Sequence, residues 1–161
     1  MTLNENFKIV PLLKPSDYGT GGKPSAGLNI KNAHWVTFIL VGATVADGDN
    51  QIKLTYGTTQ AADAGDVPAV MGKMLGTGAA IEAVGADALS VEVDYESDQV
   101  YWLLPDDNDR MYVVEVDPSK IPAGNDWIAL DCSAAGGAAT YSLIAIVQPR
   151  YKPAGTMVRT A

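Results

Sequence analysis

From Ala33 onward the chain is a series of short runs rich in β-branched and aromatic residues, each bounded by Gly, Asp, Asn or Pro: HWVTFILVG, QIKLTYG, ALSVEVDYES, QVYWLLP, RMYVVEVD, DWIALDCS and TYSLIAIVQP. That spacing predicts the strands of an all-β sandwich or barrel. Two runs alternate cleanly. Ile52, Leu54 and Tyr56 oppose Lys53 and Thr55, and Leu89, Val91, Val93 and Tyr95 oppose Ser90, Glu92, Asp94 and Glu96, so each predicts one buried and one wet face. The runs around Phe38 and Ile144 are apolar on both parities instead. In HWVTFILVG one parity is Trp35, Thr37, Ile39 and Val41, and the other is His34, Val36, Phe38 and Leu40. A strand of that kind is covered on both sides, by a second layer of its own chain or by a neighbouring subunit. His34, Val36, Phe38 and Leu40 are the candidates for self-association.

Residues 1–32 read differently. Pro11, Pro15, Pro24, Gly19, Gly21, Gly22 and Gly27 are too many breakers for a helix or a central strand. They predict an extended N-terminal arm in which FKIVPLL can add a short edge strand. The sandwich then occupies residues 33–150 and a tail residues 151–161, about eight antiparallel strands in all. PDDND (Pro105 to Asp109), followed by RMYVVEVD, reads as a turn between neighbouring strands. In VPAVMGKMLGTGAAIEAVGADA, Met71, Met74, Leu75 and Ile81 approach a helical stripe while Gly72, Gly76 and Gly78 oppose one. This stretch is expected to be mostly irregular, with room for one short helix or strand.

Composition narrows the function classes. At 161 residues and 47% hydrophobic, the chain can bury a core without staples, and its single cysteine, Cys132, excludes an internal disulfide. No run approaches the ~18 apolar residues of a membrane helix, and the polar start MTLNENFK lacks the order of a signal peptide, so a protein made in the cytoplasm is expected. The net charge of −8 argues against nucleic acid as a partner. That charge is unevenly spread. Residues 1–31 carry four basic and two acidic side chains (+2), residues 150–161 carry three basic and none acidic (+3), and residues 32–149 carry four basic and seventeen acidic (−13).

Candidate chemistry is sparse. GTGGKPS lacks the first glycine and the final Ser or Thr of a phosphate-binding loop, and GTGAAI lacks the third glycine of a dinucleotide fingerprint. DGDN (Asp47 to Asn50) and DDND (Asp106 to Asp109) offer oxygen ligands but neither the turn glycine nor the distal Glu of a calcium loop. His34 is the only histidine, which excludes a two-histidine metal site, and no serine sits in a glycine-flanked elbow. Cys132 reads as a small buried hydrophobe. Trp35, Trp102 and Trp127 each lie inside a strand-like run, where packing is the ordinary role. No catalytic residue, cofactor or metal is expected.

Three stretches together resemble the cement or decoration proteins of tailed-bacteriophage heads: IVPLL…SDYGTGG with NIKNAHWVTFILVGATVADG, then RMYVVEVDPSKIPAGNDWIALDCSAAGG, then SLIAIVQPRY. The likeness runs in order from Ile9 to about Tyr151 and does not extend to residues 61–87. It implies a jelly-roll-like sandwich that binds the outside of the capsid, with the major capsid protein as partner, as a homodimer or other symmetric homo-oligomer. It also implies a virion location and no enzymatic activity. Combined with the charge layout, it makes the basic terminal segments the docking feet, with Lys8, Lys14, Lys23, Arg150 and Lys152 as the capsid contacts. A phage tail or baseplate β-protein and a soluble carbohydrate-binding β-sandwich are the alternatives; the latter needs Trp102 or Trp127 exposed in a groove.

Overall fold

In the computed structural model, residues 6–17, 23–45, 51–67, 72–77, 80, 81, 83, 89–92, 101–103, 109–133 and 139–150 are described. Their strands, in chain order, are β1 (Lys8–Asp17), β2 (Lys23–Pro24), β3 (Leu28–Asn29), β4 (Ala33–Val45), β5 (Gln51–Gly57), β6 (Gly65–Val67), β7 (Gly72–Thr77), β8 (Leu89–Glu92), β9 (Tyr101–Leu103), β10 (Arg110–Val116), β11 (Trp127–Ser133) and β12 (Ala139–Pro149). A 3-10 turn, Pro118–Lys120, follows β10. Each of the seven runs picked out by its pattern contains one of these strands. The strands beyond the expected eight are mainly pieces of two or three residues, β2, β3 and β6, too short to show any periodicity.

The strands form two sheets in which every pairing is antiparallel. The first runs β1-β12-β4-β10-β7-β8; the second runs β2-β11-β5-β6, with β3 also on β11 and β9 also on β5. Their inner faces share one core. The first sheet supplies Val36, Phe38, Leu40, Tyr112, Val114, Leu143 and Val147, and the second supplies Ile52, Leu54, Trp102, Ile128, Leu130 and Cys132. The fold is an all-β antiparallel sandwich.

The breaker-rich N-terminal stretch is extended, as its prolines require, and it is built into the sandwich. β1 is an edge of the first sheet, the place where a strand tolerates proline. Its pairing with β12 shifts between Pro11 and Leu13, leaving Leu12 as the extra residue of a bulge, so Val10, Leu12 and Leu13 are all buried while Pro11 faces out. Further on, Ser25 N–H donates to the Leu130 carbonyl (2.8 Å) and Ile30 N–H to the Asp126 carbonyl (2.8 Å), stitching the segment to the second sheet. Gly27 is demanded here, because a Cβ at that position would overlap the Gln60 carbonyl oxygen.

Two sequence expectations are corrected. The residues of PDDND do not connect sheet neighbours: β9, before them, pairs with β5 in the second sheet, and β10, after them, lies in the first, so the chain changes layers there. Turn composition says nothing of which strands it joins, and residues 105–108 lie outside the described residues. Leu89 is 36% exposed and not buried, because β8 is an edge strand whose pairing slips between Gly76 and Thr77. Val93 and Tyr95 lie outside the described residues. The glycine-rich stretch, expected to leave room for one short helix or strand, supplies β7, an interior strand between β10 and β8, where Gly76 and Gly72 stand opposite the bulky Tyr112 and Val116.

Candidate interaction surfaces

The outer face of the first sheet follows from its register. Pro11, Ile144, Ile39, Val113 and Leu75 are successive partners, forming one row across β1, β12, β4, β10 and β7. A second row runs Ile9, Ile146, Thr37, Glu115 and Lys73, and a third Ser142, Val41 and Met111. On these five strands the charged positions of the rows are Glu115 and Lys73, partners of each other, and the first row ends at Glu92 on the edge strand β8, opposite Leu75. Ile9 is 47% exposed and Ile144 36%, and Ile39, Val41, Val113 and Ile146 are half-buried. A contiguous apolar surface of this kind is uncommon on a protein that meets only water.

The second sheet presents a different outer face. Gln51, Lys53 and Thr55 of β5 stand beside Ser133, Asp131 and Ala129 of β11. Lys53 Nζ lies 4.0 Å from Asp66 Oδ2 on β6. Burial raises the Asp131 carboxyl above its ordinary value, with Lys53 pulling the other way and Asp66 adding to the rise. This face is polar in the ordinary alternating way.

A third surface is the end of the sandwich where β4 begins and β12 finishes. Arg150 N–H donates to the Asn32 carbonyl (2.8 Å) and its Nε–H to the Ala33 carbonyl (3.0 Å). Lys8 pairs with Val147 at this end, and partial burial lowers the pKa of its ammonium by desolvation. Lys31 occupies the exposed turn before β4, 4.0 Å from Asp126. Lys120 closes the 3-10 turn that packs on β4. Asp117 caps that turn, accepting from Ser119 N–H at 2.9 Å; its pKa is lowered first by its hydrogen bonds to Ser119, against a smaller effect of burial, with Lys120 and His34 helping. Four cations therefore gather at one end of an acidic chain, outnumbering the two acids among them, Asp117 and Asp126.

The proposed capsid contacts are divided by the fold. Lys8 and Arg150 belong to this end, whereas Lys14 lies six residues along β1, a distance of ~20 Å at strand rise. Lys23 pairs with Cys132, at the opposite end of β11 from Trp127 and Asn29. Lys152 lies outside the described residues. Sequence order missed Lys31 and Lys120, whose nearness to Lys8 and Arg150 depends on strand register alone. The self-association set is corrected as well. Val36, Phe38 and Leu40 are fully buried in the chain's own core, and only His34 of the four is exposed. The surface parity of β4 is the other one, Trp35, Thr37, Ile39 and Val41.

The interior holds little chemistry. Cys132 is fully buried, and burial followed by the neighbouring Asp131 pushes its thiol far above the ordinary value, so it stays protonated. Tyr141 is raised for the same first reason, desolvation. Among the described residues no group of three or more His, Cys, Asp or Glu side chains could hold a metal, and no helix is long and apolar enough to cross a membrane. The acidic stretches 47–50 and 106–108 lie outside the described residues. Trp102 is 1% exposed and has no face to offer a sugar.

No family model and no curated protein matches the chain. Among solved structures, the crystal structure of the SPBc2 prophage-derived protein YomS is similar, at 11% sequence identity, covering 88% of this chain and 92% of that one, with a TM-score of 0.46. At that level the likeness carries no argument about function.

Proposed function

We propose that the protein is a non-enzymatic structural component of a tailed-phage head, a cement protein that binds the outer surface of the capsid and reinforces the shell. The sequence resemblance gives the direction. The observation that supports it is the basic end: Lys8, Lys31, Lys120 and Arg150 meet there and outnumber Asp117 and Asp126, although the chain carries −8 overall. An acidic shell surface attracts that end and repels the acidic remainder, which fixes orientation before any close contact forms. The major capsid protein is the partner under this reading, and the virion exterior is the location. A carbohydrate-binding role loses one of its two candidate aromatic platforms to the burial of Trp102.

Mass spectrometry of purified particles tests the reading directly. A cement protein is present in a fixed, high ratio to the major capsid protein; a tail or baseplate component is present in few copies, and a non-virion protein is absent. The basic end is tested by binding to undecorated shells at low and high salt. Lys31→Glu combined with Lys120→Glu changes two exposed side chains outside the core, so the fold is preserved. Each exposed ion pair contributes at most ~1 kcal/mol, so the double reversal weakens binding severalfold or more at low salt and much less at high salt. Equal decoration by parent and variant at both salts overturns the basic-end orientation. Deleting residues 1–24 is not a usable test, since it removes all of β1 and β2 from the sandwich.

A further inference from the structure

We propose that the outer face of the first sheet is the surface on which a second copy of this chain packs, giving a two-fold dimer with Ile39 and Ile144 at its centre. Ile144 and Ile39 are register partners in the middle of a row that runs Pro11, Ile144, Ile39, Val113, Leu75 across five strands. None of these side chains is needed to close the chain's own core, which draws on the opposite parity. Burying them within the monomer would require a further layer, and among the described residues none lies on this face.

Size and charge select a second copy as the occupant. Five strands ~4.8 Å apart and about seven residues along each give a face of roughly 600 Å². Two such faces together bury ~1,200 Å², the lower bound of stable specific interfaces. Two chains of charge −8 repel least where the acids are few and kept to the rim of the contact. Among the described residues, Asp63, Asp66, Asp126 and Asp131 lie on or beside the second sheet, whereas on the first sheet Glu115 stands opposite Lys73 and the other two acids lie at its margins, Asp17 at the end of β1 and Glu92 on the edge strand β8, opposite Leu75. The centre of the face therefore pairs one acidic with one basic position and keeps its other acids at the rim, which suits a self-complementary two-fold contact. Twisted sheets packed face to face also interdigitate side chains of this kind at ~10 Å separation.

Sedimentation velocity on the isolated full chain is the test, so the outcome is separate from that of the capsid reading. The parent sediments as a dimer at micromolar concentration. Ile39→Glu and Ile144→Glu, made singly, each place two carboxylates in the apolar contact by symmetry and raise the half-dissociation concentration by about 100-fold or more. Ile144→Thr keeps the β-branched shape that suits the strand and gives an intermediate weakening. Gln51→Glu, on the outer face of the second sheet, dimerises as the parent does. Near-ultraviolet circular dichroism establishes that each variant is folded. A parent that stays monomeric to about 100 µM, where Kd arithmetic leaves no biological dimer, overturns the proposal. So does a dimer that folded Ile39→Glu and Ile144→Glu leave intact. If only a chain shortened by residues 151–161 dimerises, the tail occupies the face in the parent and the proposal is likewise wrong.

Discussion

The two sheets carry the same kind of inner face and opposite kinds of outer face. Inside, Phe38, Leu40 and Val114 of the first sheet meet the core shared with Ile52, Leu54 and Leu130 of the second. Outside, the first shows Ile9, Ile39, Val113 and Ile144, and the second shows Gln51, Lys53, Thr55 and Asp131. Folding requires only the inner pattern. The second sheet stops there, with strand β5 polar on the side that faces water. The first sheet adds a second apolar stripe on the side away from the shared core, a feature that the closing of that core does not require.

The sharpest way to break that comparison is to treat the two parities of β4 alike. Phe38→Ala empties a fully buried site and lowers the unfolding free energy by about 3–5 kcal/mol. Its neighbour Ile39→Ala trims a half-buried side chain and costs about 1 kcal/mol, measured by denaturant unfolding at low protein concentration. Similar losses at both positions would mean that a hidden layer of the same chain covers the outer face.

How much of this was legible in the sequence depends on which level of structure is asked for. The seven strand-like runs carry their own periodicity, so their existence was readable, as was the burial of Cys132. The doubly apolar character of HWVTFILVG was also readable, but not which parity is the inner one. That choice is made by register, Phe38 facing Ala145 and Val114 across the ladder, and register is a relation between distant segments. The same limit hid the basic end. Lys31, Lys120 and Arg150 meet because β12 pairs with β4 and the 3-10 turn packs on β4, and no local signal marks that. Leu89 was misread because alternation reports a strand's intrinsic pattern and not its place at a sheet's edge.

A smaller effect tests how the second sheet holds its polar neighbours. Leu130 N–H donates to Ser25 Oγ at 3.0 Å in a buried setting. Ser25→Ala leaves that donor without its partner, a loss of about 1–3 kcal/mol in denaturant unfolding. A change near zero would mean that water replaces the hydroxyl, and that the N-terminal segment is held by backbone bonds and apolar contacts alone.

The smallest expected effect belongs to Asp131, and its sign separates the two outer faces most directly. Asp131 stands beside Lys53 in register, next to Asp66 and the Cys132 thiol, and burial raises its folded-state pKa above the unfolded 3.8. A carboxyl raised on folding supports the native state fully below the unfolded pKa, where it is protonated in both states. That support is lost as pH rises through the folded value, because the half-buried site must then hold a charge. Asp131→Asn has no such loss. The variant should therefore gain stability relative to the parent between about pH 3 and pH 7, with the change concentrated just above the ordinary carboxylate range. Thermal unfolding of both proteins at a series of pH values reads this as a widening gap in midpoint. A gap that narrows or reverses would show that attraction to Lys53 outweighs burial, so that this face gains from its charges as the first sheet's face would from its isoleucines. The chloride dependence of the midpoint at pH 7 separates the cases, since screening weakens an ion pair and leaves a desolvation penalty nearly unchanged.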